Sequence, residues 1–241
     1  MELTPTSTVR DMVTADFRAA AVFHGYGIDF CCGGRKTLEE ACRERNLCVS
    51  EVTREVEKAC RVPHASTRYA DLDTAALIAH IVDVHHEYVR QAMPALVAHT
   101  QKVAKSHGAL HPELLDVAIV FDRVVREMTL HMGKEEGVLF PYINRAVQAA
   151  EAGGEPPTAP FGSIDNPIRM MEDEHESAGA AMALIRELTD NYTLPEGACT
   201  TYRICFKELE AFERDLHEHV HLENNILFPR ARALESCKRF A

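Results

Sequence analysis

The sequence predicts an all-α protein: a small helical N-terminal domain followed by an up-down-up-down four-helix bundle. Three observations carry this. Long segments place apolar residues at three-and-four spacing, and few segments alternate as strands do. Capping and breaking residues separate those segments. The last two long segments also repeat the motifs of the first two.

Taken in order, residues 8–24 read as a helix stopped by Gly25 and Gly27. An irregular stretch follows, GYGIDFCCGGRK. Thr37 and Glu40 form a capping-box pattern that opens a short helix, TLEEACRERN. Ser50 caps a further segment to about Cys60, and Pro63 to Thr67 reads as a linker. Residues 1–65 are therefore expected to be one domain and residues 66–241 a second. Four long segments fill the second. They run from Asp71 to Lys105, from Pro112 to Ala149, from an Asn166 cap with Pro167 to Asn191, and from Pro195 to Leu234. EAGGEPPTAPF, residues 151–161, is the loop at their middle. Short connections between long amphipathic helices imply antiparallel neighbours.

The chain is 46% hydrophobic and 26% charged, ordinary for a globular protein with a real core. A net charge of −11 without a basic run argues against nucleic acid or an anionic membrane as partner. No stretch approaches the roughly 20 apolar residues of a membrane span. The start, MELTPTSTVRDMVTADF, lacks the basic and apolar regions of a secretory signal, so a cytoplasmic location is expected. Eight cysteines are scattered with no CxxC pair, which fits neither a disulfide framework nor a zinc site. Cys42, Cys48, Cys60, Cys199, Cys205 and Cys237 read as small, mostly buried apolar side chains.

The duplication points at chemistry. Glu127, His131, Glu135 and Leu139-Phe140-Pro141 match Asp215, His219, Glu223 and Leu227-Phe228-Pro229 at an offset of 88 residues. His86-Glu87 with Met93 matches His175-Glu176 with Met182 at an offset of 89. Each histidine lies on an apolar stripe: Val82, His86, Val89, Met93, Leu96 on the first segment; Val124, Met128, His131, Glu135, Val138, Tyr142 on the second; Ile168, Met171, His175, Ala178, Met182 on the third; Phe212, Leu216, His219, Glu223, Ile226 on the fourth. Four imidazoles and two carboxylates are thus expected in one core. Buried carboxylates are unfavourable unless paired or bound to a cation. His and Glu four apart stand one turn above each other and can serve one centre. Nitrogen and oxygen ligands without thiolate suit iron or manganese, with zinc also compatible.

His85 fits its stripe less well than His86. His217 and His221 are expected on the opposite face of the fourth helix as a solvated pair. Glu127 and Asp215 are either partners of the ligand histidines or plain surface acids. Cys31 and Cys32 sit beside Gly33 and Gly34 in a loop expected to be flexible and exposed, where Arg35 and Lys36 would favour thiolate. Adjacent cysteines make a strained ring when oxidised, so a stable disulfide is not expected.

With these motifs, HMGKEEGVLFP and HVHLENNILFPRA, residues 70–236 resemble a hemerythrin-like domain. Residues 8–48, with IDFCCGG and TLEEAC, resemble the ScdA-type N-terminal domain, and the pair in this order resembles the repair of iron centres family. The resemblance implies two iron ions in a non-haem di-iron centre held by His86, His131, Glu135, His175, His219 and Glu223. It implies a stress-response protein that restores iron–sulfur clusters damaged by nitrosative or oxidative stress, by donating iron or removing nitric oxide. Its partners would be damaged iron–sulfur proteins and nitric oxide or oxygen, and a homodimer is compatible with it. Cys31 and Cys32 would then be functional thiols. Two alternatives are a centre that binds or reduces nitric oxide and a sensor of nitric oxide or oxygen. Oxygen-carrying hemerythrins have a further histidine where this chain has Gly179, which argues against oxygen carriage.

Overall fold

The computed structural model describes residues 6–61, 69–155 and 157–236. The Pro63–Thr67 linker, His64 and Cys237 lie outside the described residues. Regular structure among the described residues is helical, apart from one isolated bridge between Thr8 and Thr37.

Helices α1 (Val9–Ala15), α2 (Ala19–Gly25), α3 (Leu38–Glu44) and α4 (Val49–Arg61) come first. The expected single helix over 8–24 is broken. Asp16 is extended, and its carboxylate accepts hydrogen bonds from the backbone N–H and the guanidinium of Arg18. This local side-chain bond competes with helical pairing. Thr37 and Glu40 form the expected capping box on α3. Ser50 falls inside the first turn of α4, because Cys48 offers its carbonyl to the N–H groups of Glu51 and Val52.

The long segments follow: α5 (Thr74–His80), α6 (Glu87–His107), α7 (Glu113–Lys134), α8 (Phe140–Glu151), α9 (Asp165–Leu188), α10 (Thr200–Leu222) and α11 (Phe228–Ser236). Three π-helical turns interrupt them, at Ile81–His86, Glu135–Leu139 and Glu223–Leu227. Asn166 does not cap α9; it lies in the first turn and its amide donates to the Phe161 carbonyl. The last helix begins at Thr200 rather than Pro195, because Gly197 takes φ +79° and breaks any helix started there.

Contacts divide the chain into two units, Met1–Ile78 with His217–Ala241, and Ala79–Leu216. In the first, Val9, Met12, Phe23, Leu38, Cys42, Val52 and Val56 are buried, as are Leu227 and Phe228. The Tyr69 hydroxyl donates to Glu218 at 2.7 Å, and Arg230 donates to the carbonyls of Ala70 and Leu72, both at 2.7 Å. The Gly33–Leu38 segment pairs with residues 7–10 through Val9, Arg10 and Leu38 N–H groups.

In the second unit, Leu96, Phe121, Met128, Ile168, Met171, Met182, Ile185 and Phe212 fill the core, with Phe121 and Phe212 edge to face at 5.3 Å. The chain after α9 reverses through three consecutive left-handed residues, Asp190, Asn191 and Tyr192. A tyrosine rarely holds that conformation. It is held by a buried network: Tyr192 donates to Glu213 at 2.8 Å, and Arg186 grips the same carboxylate at 2.7–3.1 Å.

Removing one partner from a buried charge pair leaves the other uncompensated. Glu213→Ala should therefore destabilise the fold by about 3–5 kcal/mol. Guanidinium unfolding should show a lower midpoint with an unchanged m-value, and an unchanged midpoint would contradict this account of the turn.

Candidate metal centre

Glu135 opens the π turn Glu135–Leu139, and Glu223 opens the π turn Glu223–Leu227. In each the closing N–H, from Phe140 or Phe228, reaches back five residues to that glutamate's carbonyl. The repeated Leu-Phe-Pro supplies a cause. Pro141 and Pro229 have no N–H, and their rings crowd the carbonyl four residues back, so the turn before them widens. No comparable sequence signal marks the Ile81–His86 turn, which ends on His86.

The wide turns shift the register that strict helical spacing gives. Val138, expected inside, is exposed, and Leu139 is buried in its place. His85 is buried next to His86, with its Nδ1 3.0 Å from Asp215.

Within the Ala79–Leu216 unit, four of the expected ligands converge. Nε2 of His86 and Nε2 of His131 each lie 3.3 Å from Oε2 of Glu135, and Nε2 of His175 lies 2.9 Å from that of His131. Glu135 is 0% exposed and the three histidines at most 1%. The His86 ring stacks on Phe140, which gives the motif phenylalanine a role. Within the other unit, Nε2 of His219 lies 3.1 Å from Oε1 of Glu223, both 0% exposed.

The outer nitrogens are also engaged, by acids the motif reading did not single out. Nδ1 of His86 faces Glu136 at 2.6 Å, and Nδ1 of His131 faces Glu174 at 2.9 Å. A carboxylate on Nδ1 fixes the tautomer in which Nε2 carries the lone pair, the usual support of a metal-binding imidazole. Burial raises the carboxyls of both acids, but hydrogen bonds from His86 and Arg90 to Glu136, and from Lys134 and His131 to Glu174, outweigh it. Both are held below the ordinary glutamate range. Glu136 follows Glu135 and Glu174 precedes His175, so each neighbour of an expected ligand was a visible candidate. Glu127 is half exposed beside Arg123 and Ser177, and Asp215 serves His85 rather than one of the expected ligand histidines.

His221 departs most from expectation. It is 1% exposed, packed on the rings of Phe30 and Phe17, and burial lowers its pKa to about 4. His217 is half-buried, with Nδ1 3.3 Å from that of His24. The face that carries His217 and His221 is covered by Phe17, His24 and Phe30, not solvated.

The cysteine loop is ordered around Asp29. Oδ1 accepts the N–H groups of Cys31 (2.9 Å) and Cys32 (3.0 Å) and the Cys31 thiol (3.2 Å), while Oδ2 accepts Gly33 N–H (2.8 Å). A side chain at Gly34 would meet the Phe30 carbonyl at 2.3 Å, which explains that glycine. Cys31 is buried, Cys32 is half-buried, and their sulfurs stand 3.8 Å apart as free thiols. The hydrogen bond with Cys32, burial and the nearby Asp29 push the Cys31 thiol up. Lys36 pairs with Glu44 instead of activating it. Cys42 and Cys205 are buried as expected, but Cys48 and Cys199 are exposed.

The donor set of the Ala79–Leu216 unit fits a metal centre: His86 and His131, each with Nδ1 held by an acid, and His175 stand around the fully buried Glu135. A hemerythrin HHE cation-binding domain model matches residues 77–231, and an ScdA-type domain of unknown function matches residues 5–60. The chain belongs to the hemerythrin HHE cation-binding family, in the two-part arrangement of the repair of iron centres family. Among its relatives, the iron–sulfur cluster repair protein YtfE of Yersinia pestis is 36% identical over 214 residues, which is 89% of this chain and 91% of that protein. YtfE of Yersinia pseudotuberculosis matches equally. Among the described residues, no helix is long and apolar enough to cross a membrane.

If His86 and His131 bind metal through Nε2, losing the acid on either Nδ1 should weaken that binding about 10–100-fold. Chelator competition on Glu136→Gln and Glu174→Gln should show this loss, with Glu127→Gln unchanged. Equal affinities in all three would remove the outer acids from the centre.

Proposed function

We propose that this chain repairs iron–sulfur clusters damaged by nitrosative or oxidative stress, using two iron ions held by His86, His131, Glu135, His175, His219 and Glu223. The carrying observation is the repeated His-x3-Glu frame, whose two glutamates are fully buried and each open a π turn. The names of the YtfE relatives support the same reading. Bound iron would supply open coordination positions and one-electron chemistry, and would itself be available as cargo for a damaged cluster.

The chain's own residues define the rest. His86 and His131 present Nε2 because Glu136 and Glu174 hold Nδ1. Glu135 and Glu223, each fully buried, would balance the cations' charge. Arg90 and Lys134 close the outer side of each acid. Cys31 and Cys32 contact the iron in transit or the client protein. The action is cytoplasmic, and the clients are iron–sulfur proteins.

A second reading, binding or reduction of nitric oxide at the same centre, draws on access. A groove of about 410 Å³ bordered by Leu130, Lys134, Met170 and Glu174 reaches His131. At Gly179, where oxygen-carrying hemerythrins have a histidine, an added Cβ would meet nothing within 4 Å. Conversion of nitric oxide to nitrous oxide by purified protein separates this reading from repair.

Metal analysis of protein made with ample iron should find two irons per chain, with severe loss in Glu135→Ala and Glu223→Ala and none in His217→Ala. One zinc, or equal iron in all variants, would overturn the ligand assignment. Replacing Cys31 and Cys32 together with serine should leave the iron in place but reduce recovery of a nitric-oxide-damaged iron–sulfur enzyme. Undiminished recovery would leave the bundle as the sole active part.

A further inference from the structure

The side chain of Asp29 does more than shape a turn. One of its carboxylate oxygens, the Cys31 sulfur and the Cys32 sulfur lie within 4.8 Å of one another. An ion with tetrahedral bonds of about 2.3 Å to sulfur holds two sulfurs about 3.8 Å apart. The two thiols already stand at 3.8 Å. Oδ1 is 3.2 Å from the Cys31 sulfur, and an oxygen–sulfur edge of the same tetrahedron is about 3.5 Å, which a small side-chain rotation supplies. Two edges of the donor triangle are therefore close to those of one coordination tetrahedron, and the third is no longer than 4.8 Å.

The cradle is built rather than incidental. Asp29 fixes the loop through the N–H groups of Cys31, Cys32 and Gly33. From the other side, the Asn225 amide donates to the carbonyls of Phe30 (3.2 Å) and Cys31 (3.4 Å) and meets Nδ1 of His221 at 2.9 Å. Both glycines after the cysteines are close-packed, Gly33 against Asp29 and Gly34 against Phe30 and Arg10. Were both thiols ionised beside the carboxylate, three negative charges would repel one another, and a cation among them removes that repulsion. Soft sulfur donors select iron(II), zinc or cobalt(II) over magnesium or calcium. Cys32 is half-buried and Asp29 exposed, so a fourth position faces outward.

We propose that Asp29, Cys31 and Cys32 form a metal site of their own, binding one thiophilic divalent cation of the iron(II) class with its fourth position open to a partner's ligand. Each thiol releases its proton to solvent as its sulfur bonds the ion, and no oxidation or reduction is involved. Use of the site as a transfer point for cargo iron rests on the repair reading; its existence does not.

Cobalt(II) titrated anaerobically into the iron-loaded full chain tests it. One equivalent should bind with a near-ultraviolet thiolate-to-cobalt charge-transfer band. The band should vanish in Cys31→Ser and in Cys32→Ser. Binding should weaken at least tenfold in Asp29→Asn, which keeps an oxygen to accept the loop's N–H groups. Iron content and helical circular dichroism, unchanged from the parent, check that each variant is folded. No band in the parent, a band surviving in the double serine variant, or undiminished affinity in Asp29→Asn would each overturn the site. Cobalt binding in the expected pattern supports it even where the repair assay fails, a failure that removes only the repair reading.

Discussion

The burial of the Glu135 carboxylate is the constraint on which the Ala79–Leu216 unit turns. An ionised carboxylate with no exposure, ringed by three imidazoles, has no stable place in an apolar core unless positive charge joins it. The surroundings are arranged for that outcome. Behind His86 stands Glu136 and behind Glu136 stands Arg90; behind His131 stands Glu174 and behind Glu174 stands Lys134. Charge alternates outward from the core to the surface along two short relays. Each relay holds an imidazole in the tautomer that a cation requires.

The π turns are the backbone counterpart of this constraint. A strict helix would carry Glu135 and Val138 inward on one stripe. The widened turn keeps Glu135 inside and brings Leu139 in where Val138 would have been. A residue with little helical alternative, the proline of each Leu-Phe-Pro, sits where it sustains the distortion. Distortions of this kind are concentrated at functional sites, and here they begin or end at a ligand-type side chain three times.

The two copies of the motif have diverged in a way that has a use. Positions of Gly133 and Gly137 in the first copy are His221 and Asn225 in the second. An added Cβ at either glycine would touch nothing. His221 packs on Phe30 and Asn225 bonds the Phe30 and Cys31 carbonyls. The second motif helix therefore carries two functions on two faces: a ligand-type His219–Glu223 pair on one, and the support of the cysteine loop on the other. Asp29 completes that loop from within, so its thiols are held by short polar contacts rather than exposed on a flexible tip.

Periodicity by itself determined the helical class, most of the inward stripes and the ligand-type residues, because a 3.6-residue repeat is a local property and the duplication doubled its signal. The Thr37–Glu40 capping box was legible for the same reason, its bonds closing within four residues. What depended on tertiary structure was whatever lies between segments distant in sequence. Glu136 and Glu174 look like surface acids until His86 and His131, 50 and 43 residues away, come against them. His221 reads as solvated because its helix alone says nothing of Phe30, some 190 residues earlier, which covers it. The π turns shifted Val138 out and His85 in, since one additional residue in a turn rotates all that follows by about 100°. Cys31 was expected to be an exposed, activated thiol from its neighbours Arg35 and Lys36. Tertiary packing decided otherwise, by burying it against Asp29 and giving Lys36 to Glu44.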